Sequence, residues 1–418
     1  MKTKNTIIHI IGGGISGLIA AQVLESHGYS PIILEKEDRT GGRLKTNIVD
    51  GFQLDLGFQV LLSNYSGAKK YLDYNSLEIQ QLKPGACIFK NGKKKIIGDP
   101  LRDPSVLLNT VFSGIGSLKD KIKIIQLKSK LKKKSIDAIF KQKETSTAKY
   151  LSEFGFSEKI ITDFFSPFFT GIFLETKLET SSRMFEFIFK MFGEGMALIP
   201  KGGIEEIAKQ LTKKLQNTTF RLNTGVNEVM DKEIILSDKQ ILKTDYTIIA
   251  TEASTLVSNL NHQDIHWKSC ENLYFKTPKR QIKSPFIGLI QNRECLINNL
   301  FYHTSIEMKN RGEEELLSVT VVKDHQLSET QLIEKIESEL KTECNIENVT
   351  FLKRYKIAKA LPDLQHVQYN LYPSESKLTD TIFLSGDIQL NGSLNAAILS
   401  GESAAMGVIN AIDKRLIK

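Results

Sequence analysis

The first strongly patterned stretch is residues 7–11, four isoleucines around His9 with no polar alternation. A β-branched run of this kind predicts a strand buried on both faces of a parallel sheet. Gly12-Gly13-Gly14-Ile15-Ser16-Gly17 follows, and between Ser16 and His27 the apolar residues Leu18, Ala21 and Leu24 recur at helical spacing. Gly28 supplies a C-terminal stop, and Pro31-Ile32-Ile33-Leu34-Glu35 reads as a second strand. The pattern is strand, tight turn, helix, strand. Residues 6–24 are uncharged, as a signal or spanning segment would be, but the glycines at 12, 13, 14 and 17 and the lack of a small-residue cleavage motif argue against both. No other stretch is apolar for the ~20 residues a membrane span needs.

Two later segments are helical by spacing. Leu118, Ile122 and Ile125, then Ile136, Ile139 and Phe140, line up beneath a heavily charged face. Ten lysines and two aspartates lie between Lys119 and Lys143, so this stretch carries the whole formal excess of +8. A local patch is not the broad basic face that tracks phosphates, so nucleic acid is not an expected partner. Two readings of the patch stay open: a solvated helix packed on its own domain, or a peripheral contact with an anionic membrane. Residues 154–192 hold eleven of the 22 phenylalanines, which predicts apolar core or the wall of an apolar substrate cavity.

Length sets the prior at two domains for 418 residues, and 41% hydrophobic with 25% charged residues is the balance of a folded globular chain. Cys87, Cys270, Cys295 and Cys344 are scattered without metal-ligand or redox-motif spacing, which points to a reducing, cytoplasmic setting. His262 and His266 are close, but no cysteine or carboxylate cluster completes a site, and no metal is expected.

The N-terminal pattern carries its own chemistry. In a dinucleotide site Gly12 permits the tight turn, Gly14 lets backbone approach the pyrophosphate, and Gly17 allows close helix–strand packing. The helix that begins near Ser16 then turns its partial positive charge and free N–H groups toward the phosphates. Glu35 ends the second strand 23 residues after Gly12, placed to accept hydrogen bonds from ribose hydroxyls and to repel a 2′-phosphate. This favours FAD or NAD over NADP.

The run Glu35-Lys36-Glu37-Asp38-Arg39-Thr40-Gly41-Gly42-Arg43 resembles the flavin-containing amine oxidase superfamily, which includes protoporphyrinogen oxidases and phytoene desaturases. Three more segments carry the resemblance along the chain. Leu54-Asp55-Leu56-Gly57-Phe58-Gln59-Val60 is similar to a segment that in the family passes beside the flavin ring. Residues 220–251 resemble the family's mid-chain return, with a strand ending near Val226, a hairpin around Asp238 and a strand from Tyr246. Phe383-Leu384-Ser385-Gly386-Asp387, then Gly392-Ser393-Leu394-Asn395-Ala396-Ala397, resembles the last strand and helix. The resemblance implies cofactor contacts from Lys36, Gly42, Arg43, Gly57, Phe58, Gln59, Val60, Val226, Gly386, Asp387, Ser393, Leu394 and Ala397. A helix N-terminus pointed at the flavin would stabilise negative charge on its reduced form.

The implied architecture is α/β: a Rossmann-like FAD-binding domain from residues 1–75, 198–255 and 350–418, and an α+β substrate domain inserted as 76–197 and 256–349. No second G-x-G-x-x-G occurs, so a separate nicotinamide domain is not expected, and with no cysteine after Cys344 the FAD is expected to be non-covalent. The expected function is an FAD-dependent oxidoreductase that removes a hydride from a small apolar or amine substrate. A flavin-dependent isomerase and an FAD-retaining membrane-surface interaction protein are the alternatives. Leu361-Pro362 is similar to a family loop near the flavin and makes Tyr355, Lys356 and Lys359 candidate cavity residues, with nothing to choose among them. Neither a catalytic acid or base nor an oligomeric state is legible.

Overall fold

In a computed structural model the described residues are 6–100, 102–260 and 263–416, so His262 lies outside them. The strand–turn–helix–strand pattern becomes strand Ile8–Ile11, helix Ile15–Ser26 and strand Ile32–Leu34. Ile8–Ile11 is buried at all four positions, because it is the central strand of a five-stranded parallel sheet. Thr219–Arg221 and Ile32–Leu34 lie on one side of it, Tyr246–Ile249 and Ile382–Leu384 on the other. Ile10 sits between Ile33 and Ile248 in register, so β-branched side chains stack along the sheet on both faces.

Helix Ile15–Ser26 packs on the long C-terminal helix Leu394–Leu416 through small residues. Ala20, Ala21, Ala404 and Ala405 are fully buried, and a Cβ on Gly401 would stand 2.4 Å from the Ser16 carbonyl oxygen. The two helices that begin at the glycine turn and at Leu394 are thus locked side by side.

The mid-chain return needs one correction. The strand of the parallel sheet ends at Arg221, and Val226 opens the next one, Val226–Met230, in a separate antiparallel sheet with Glu233–Leu236 and Ile241–Lys243. The chain turns between them at Asn223, whose left-handed backbone (φ 51) suits asparagine.

A second correction concerns residues 350–362, expected with the dinucleotide-binding segments. Thr350–Pro362 instead pairs with Trp267–Thr277 at the edge of a seven-stranded sheet. From there the order runs through Glu315–Val321, Ile297–Tyr302, Ile287–Ile290, Gly85–Lys90 and Lys93–Gly98. Helix Glu329–Cys344 covers it, burying Leu332, Ile336 and Leu340 against Cys87, Leu300 and Val319.

The phenylalanine-rich segment builds helices Ser166–Phe173 and Ser182–Glu194 and a core of rings, with Phe165, Phe169, Phe185 and Phe187 at most 1% exposed. Phe169 and Phe185 lie 4.8 Å apart, at a tilt aromatic pairs favour. Glu186 is fully buried among them and accepts hydrogen bonds from Lys134 (2.6 Å), Tyr150 (2.7 Å) and Gln142 (2.8 Å).

The lysine segment forms helices Leu118–Lys133 and Ile136–Lys141. Its second apolar group packs as expected, since Ile139 and Phe140 are buried, but the first does not. Leu118, Ile122 and Ile125 are exposed, while Asp120, Leu127 and Leu131 face inward. The rotation is set by Asp120, whose carboxylate accepts from the Ser117 N–H (2.7 Å) and the Ser157 N–H (2.9 Å), capping two helices at once. Burial opposes its ionisation, but these bonds and those from both serine hydroxyls hold its pKa at about 2. No helix among the described residues is long and apolar enough to cross a membrane.

Candidate dinucleotide and substrate site

The glycine turn closes on itself. The Gly12 N–H donates to the Leu34 carbonyl (2.9 Å), and a Cβ on Gly17 would stand 2.0 Å from the Gly12 carbonyl oxygen, so that position admits only glycine. Gly14 is the N-cap of the first helix, with no side-chain acceptor there and no acidic residue in the first turn. Its first N–H groups and its dipole are left for a ligand anion, with Ser16 buried beneath. The sequence's second glycine pair lies against the first: the Gly41 N–H donates to the Gly13 carbonyl (2.9 Å), and a Cβ on Gly42 would come within 3.2 Å of Gly14 Cα. Bare backbone on both sides forms a cradle that side chains would fill.

Glu35 is buried, and two amides fix it. Oε2 accepts from the Gly13 N–H (2.6 Å) and Oε1 from the Glu37 N–H (2.9 Å). A carboxylate has about four acceptor sites, so each oxygen keeps one for a ribose hydroxyl. The Thr224 N–H donates to the Glu35 carbonyl (2.8 Å), which brings the segment leading to Val226 beside the acid. Lys36 is exposed and stands outside this bonded cluster.

At the other end Arg43 joins segments remote in sequence. Its guanidinium pairs with the buried Asp387 carboxylate and lies 5.3 Å from the ring centre of Trp267. Its carbonyl accepts from Gln59 Nε2 (3.1 Å), which also donates to the Leu56 carbonyl (2.9 Å). Gly57 lies against Ile357, Phe58 packs on Phe301 at 5.0 Å, and Val60 is partly buried. The Gly386 N–H donates to Ser400 Oγ (3.0 Å), so the last strand is tied to the C-terminal helix just before Asp387. Ser393 Oγ accepts from the Ala396 N–H (3.0 Å) and donates to Asn391 (2.7 Å), placing half-buried Leu394 and Ala397 in that helix's first turn.

A cavity of about 620 Å³ opens beside that turn, reaching Asn391, Gly392 and Ser393. Ile172, Phe173, Met184 and Ile188 form one wall, so the cavity borrows only the edge of the phenylalanine cluster. Leu361 and Pro362 line it as expected, but Tyr355, Lys356 and Lys359 do not. Tyr355 accepts from Asn47 Nδ2 (3.2 Å) in a separate open groove, Lys356 is solvent-exposed, and Lys359 pairs with Glu252. The missed residues are Trp267 and Lys268, at the start of the strand that pairs with Thr350–Pro362. Lys268 is the one cation on the cavity wall among the described residues, and its Nζ lies 3.3 Å from both Asp363 Oδ1 and Thr180 Oγ1. The only sequence signal was a lone tryptophan next to a lysine at a strand start.

This donor set fits an extended dinucleotide: a held carboxylate for ribose, an uncapped helix N-terminus and Arg43 for pyrophosphate, and a second helix N-terminus at Ser393 facing a cavity. FAD meets that description, with Glu35 excluding a 2′-phosphate. No group of three or more metal-ligating side chains assembles among the described residues.

Comparisons with known proteins agree. An L-amino-acid oxidase from Bothrops moojeni is 35% identical over 103 residues, 23% of this chain and 20% of that protein, so the match spans about a fifth of the curated relative. An oxidoreductase from Methanosarcina mazei shares the fold at a TM-score of 0.71 and 17% identity, over 97% of this chain and 100% of the other. Cyclohexylamine oxidase from Brevibacterium oxydans does so at 0.70 and 14%, over 99% and 100%. The sequence pattern of flavin containing amine oxidoreductases matches residues 15–409, and the chain therefore belongs to that family.

Proposed function

We propose that the protein is an FAD-dependent oxidoreductase that holds its cofactor non-covalently and oxidises a C–H bond next to an amine on a small substrate with an apolar body. The observation that carries this reading is the cavity at the N-terminus of the C-terminal helix. Its wall is apolar on one side, while Glu144, Glu175, Glu179 and Asp363 line it with one ammonium, Lys268, paired to Asp363, and Glu144 also meets Arg183. Such a lining suits an ammonium group attached to a hydrophobic body. FAD supplies, when bound, a two-electron acceptor. The chain's own part is positioning: the apolar wall excludes water and holds the C–H bond, and Lys268, fixed by Asp363 and Thr180, orients the polar end of the substrate. Free N–H groups at Leu394 favour negative charge at that edge of the site.

Non-covalent binding is supported by where the cysteines lie. Cys87, Cys270 and Cys344 belong to the seven-stranded sheet and its covering helix and Cys295 to the loop joining two of its strands, and burial pushes the Cys87 and Cys295 thiols up to about 12, away from the reactive thiolate. Two observations test the proposal. Acid denaturation should release intact FAD into solution, and anaerobic addition of an aliphatic or arylalkyl amine should bleach the oxidised flavin absorbance. A protein that releases no FAD contradicts the cofactor reading. FAD release without bleaching by any amine, together with turnover only after prior chemical reduction, would instead make it a flavin-dependent isomerase.

A further inference from the structure

The helix pair Leu107–Phe112 and Leu118–Lys133 turns apolar side chains out to solvent. On the first helix Phe112 is 80% and Leu108 69% exposed, with Leu107 and Val111 beside them. On the second, Leu118, Ile122 and Ile125 recur at i, i+4 and i+7 and share one exposed face. The exposure is enforced. Ile115 is buried and pins the connection between the helices, a Cβ on Gly116 would meet Ile160 at 2.7 Å, and the Ser117–Asp120 capping box fixes the rotation of the second helix. The Lys121 ammonium donates to the Val111 carbonyl (2.7 Å), which ties the two apolar faces together.

Charge says what covers this surface. Between residues 104 and 133 the only acid is Asp120, which is buried, whereas Lys119, Lys121 and Lys123 border the apolar residues. Lys95 reaches the loop at Gly114, where a Cβ would stand 3.2 Å from its Nζ. An apolar face bordered by lysines complements an anionic lipid surface, where acyl chains accept the apolar groups and phosphates the ammonium groups. The lysines farther along are partly committed inside the protein, Lys128 to Asp99 and Lys134 to Glu186. We propose that this helix pair docks the protein on anionic membranes by shallow insertion of Leu108 and Phe112, with Lys119 and Lys121 bound to lipid phosphates.

The test is co-sedimentation of the flavin-loaded protein with phosphatidylcholine vesicles, with and without about 30% phosphatidylglycerol. Partition onto the anionic vesicles should exceed that onto neutral ones about tenfold and weaken in about 0.5 M NaCl. Leu108→Gln with Phe112→Gln should lower it a further tenfold or so at unchanged flavin content and circular dichroism, and Lys119→Gln with Lys121→Gln should remove the preference for anionic lipid. Equal partition of the Leu108→Gln/Phe112→Gln variant and the parent, or no preference for anionic vesicles, overturns the proposal. So does a lipid-free dimer in sedimentation equilibrium that Phe112→Gln dissociates, since the face would then be covered by a second copy.

Discussion

Arg43 and Asp387 stand 344 positions apart in the chain and form an ion pair, Nη2 of Arg43 donating to Oδ1 of Asp387. The pair is unequal, since the Asp387 side chain is 7% exposed and the Arg43 side chain 42%. Arg43→Ala strands a buried carboxylate and is expected to cost the apoprotein about 1–3 kcal/mol, whereas Asp387→Ala leaves a guanidinium that water reaches, at about 1 kcal/mol or less. Both should weaken FAD retention, and less than additively when combined, because Asp387 acts by orienting Arg43. Thermal melts of the apoprotein and FAD titrations of both variants and the double variant check this. Full FAD occupancy in Asp387→Ala would remove the last strand from the site.

The chain has a single tryptophan, and the Arg43 guanidinium lies over its ring. Trp267 fluorescence should therefore fall as the apoprotein is titrated with FAD. A titration that saturates flavin binding without changing Trp267 emission would place the cofactor away from Arg43.

Glu35 holds the Gly13 and Glu37 amides and is assigned the ribose. Glu35→Ala should weaken FAD binding by about 1.5–3 kcal/mol, the range for lost hydrogen bonds to a charged group, which is roughly 10- to 150-fold in Kd. Glu35→Gln retains one acceptor oxygen and should fall between. Unchanged Kd in Glu35→Ala would take Glu35 out of the site.

The parts of the site that could be read from sequence are those where backbone must touch backbone. Gly12, Gly14, Gly17 and Glu35 fall within one local strand–turn–helix–strand, so spacing alone orders them. Trp267 and Lys268 could not be read that way, because pairing of their strand with Thr350–Pro362, whose register shifts between Lys268 and Cys270, brings Trp267 to Arg43 and Lys268 to the cavity wall. That partner strand has lysines at 353, 356 and 359 and few buried positions, so it carries no core signal that ties it to the seven-stranded sheet. The lysine helix misled for another reason. Its apolar positions permit two inward faces, and the choice is made by a polar residue, Asp120, which hydrophobic patterning sends outward.

Lys268 is 17% exposed and held by Asp363 and Thr180 on the cavity wall. If Lys268 positions the substrate in the cavity, Lys268→Met should slow anaerobic flavin reduction by about 10²-fold, the scale of a reacting group misplaced by about 1 Å, with flavin content unchanged. An unaltered rate would leave Lys268 as a structural ion pair.

The pH dependence of stability turns on three buried groups. Burial holds the His303 imidazole down at about 4, and burial with the Arg221 charge does the same for His9. Burial pushes the Asp55 carboxyl up to about 6, against its bonds from Thr46 and the Ile204 N–H and assisted by Glu205. For each histidine the folded pKa is depressed, so the unfolded chain takes up a proton that the folded one refuses, and stability present above pH ~6.5 is lost as pH falls toward ~4. For Asp55 the folded pKa is raised, so its stability is present below pH ~4 and lost as pH rises through ~6, the opposite slope over nearly the same window. Each shift is worth about 3 kcal/mol, and two histidines outweigh one aspartate, leaving a net loss of about 3 kcal/mol on acidification. Tm should fall steadily between pH 7 and 4.5, and His303→Gln, which can keep the bond to Ser318, should remove most of the slope, because a single histidine then stands against Asp55. If Tm holds constant or rises over that range, or if His303→Gln leaves its slope unchanged, the histidines do not govern acid stability.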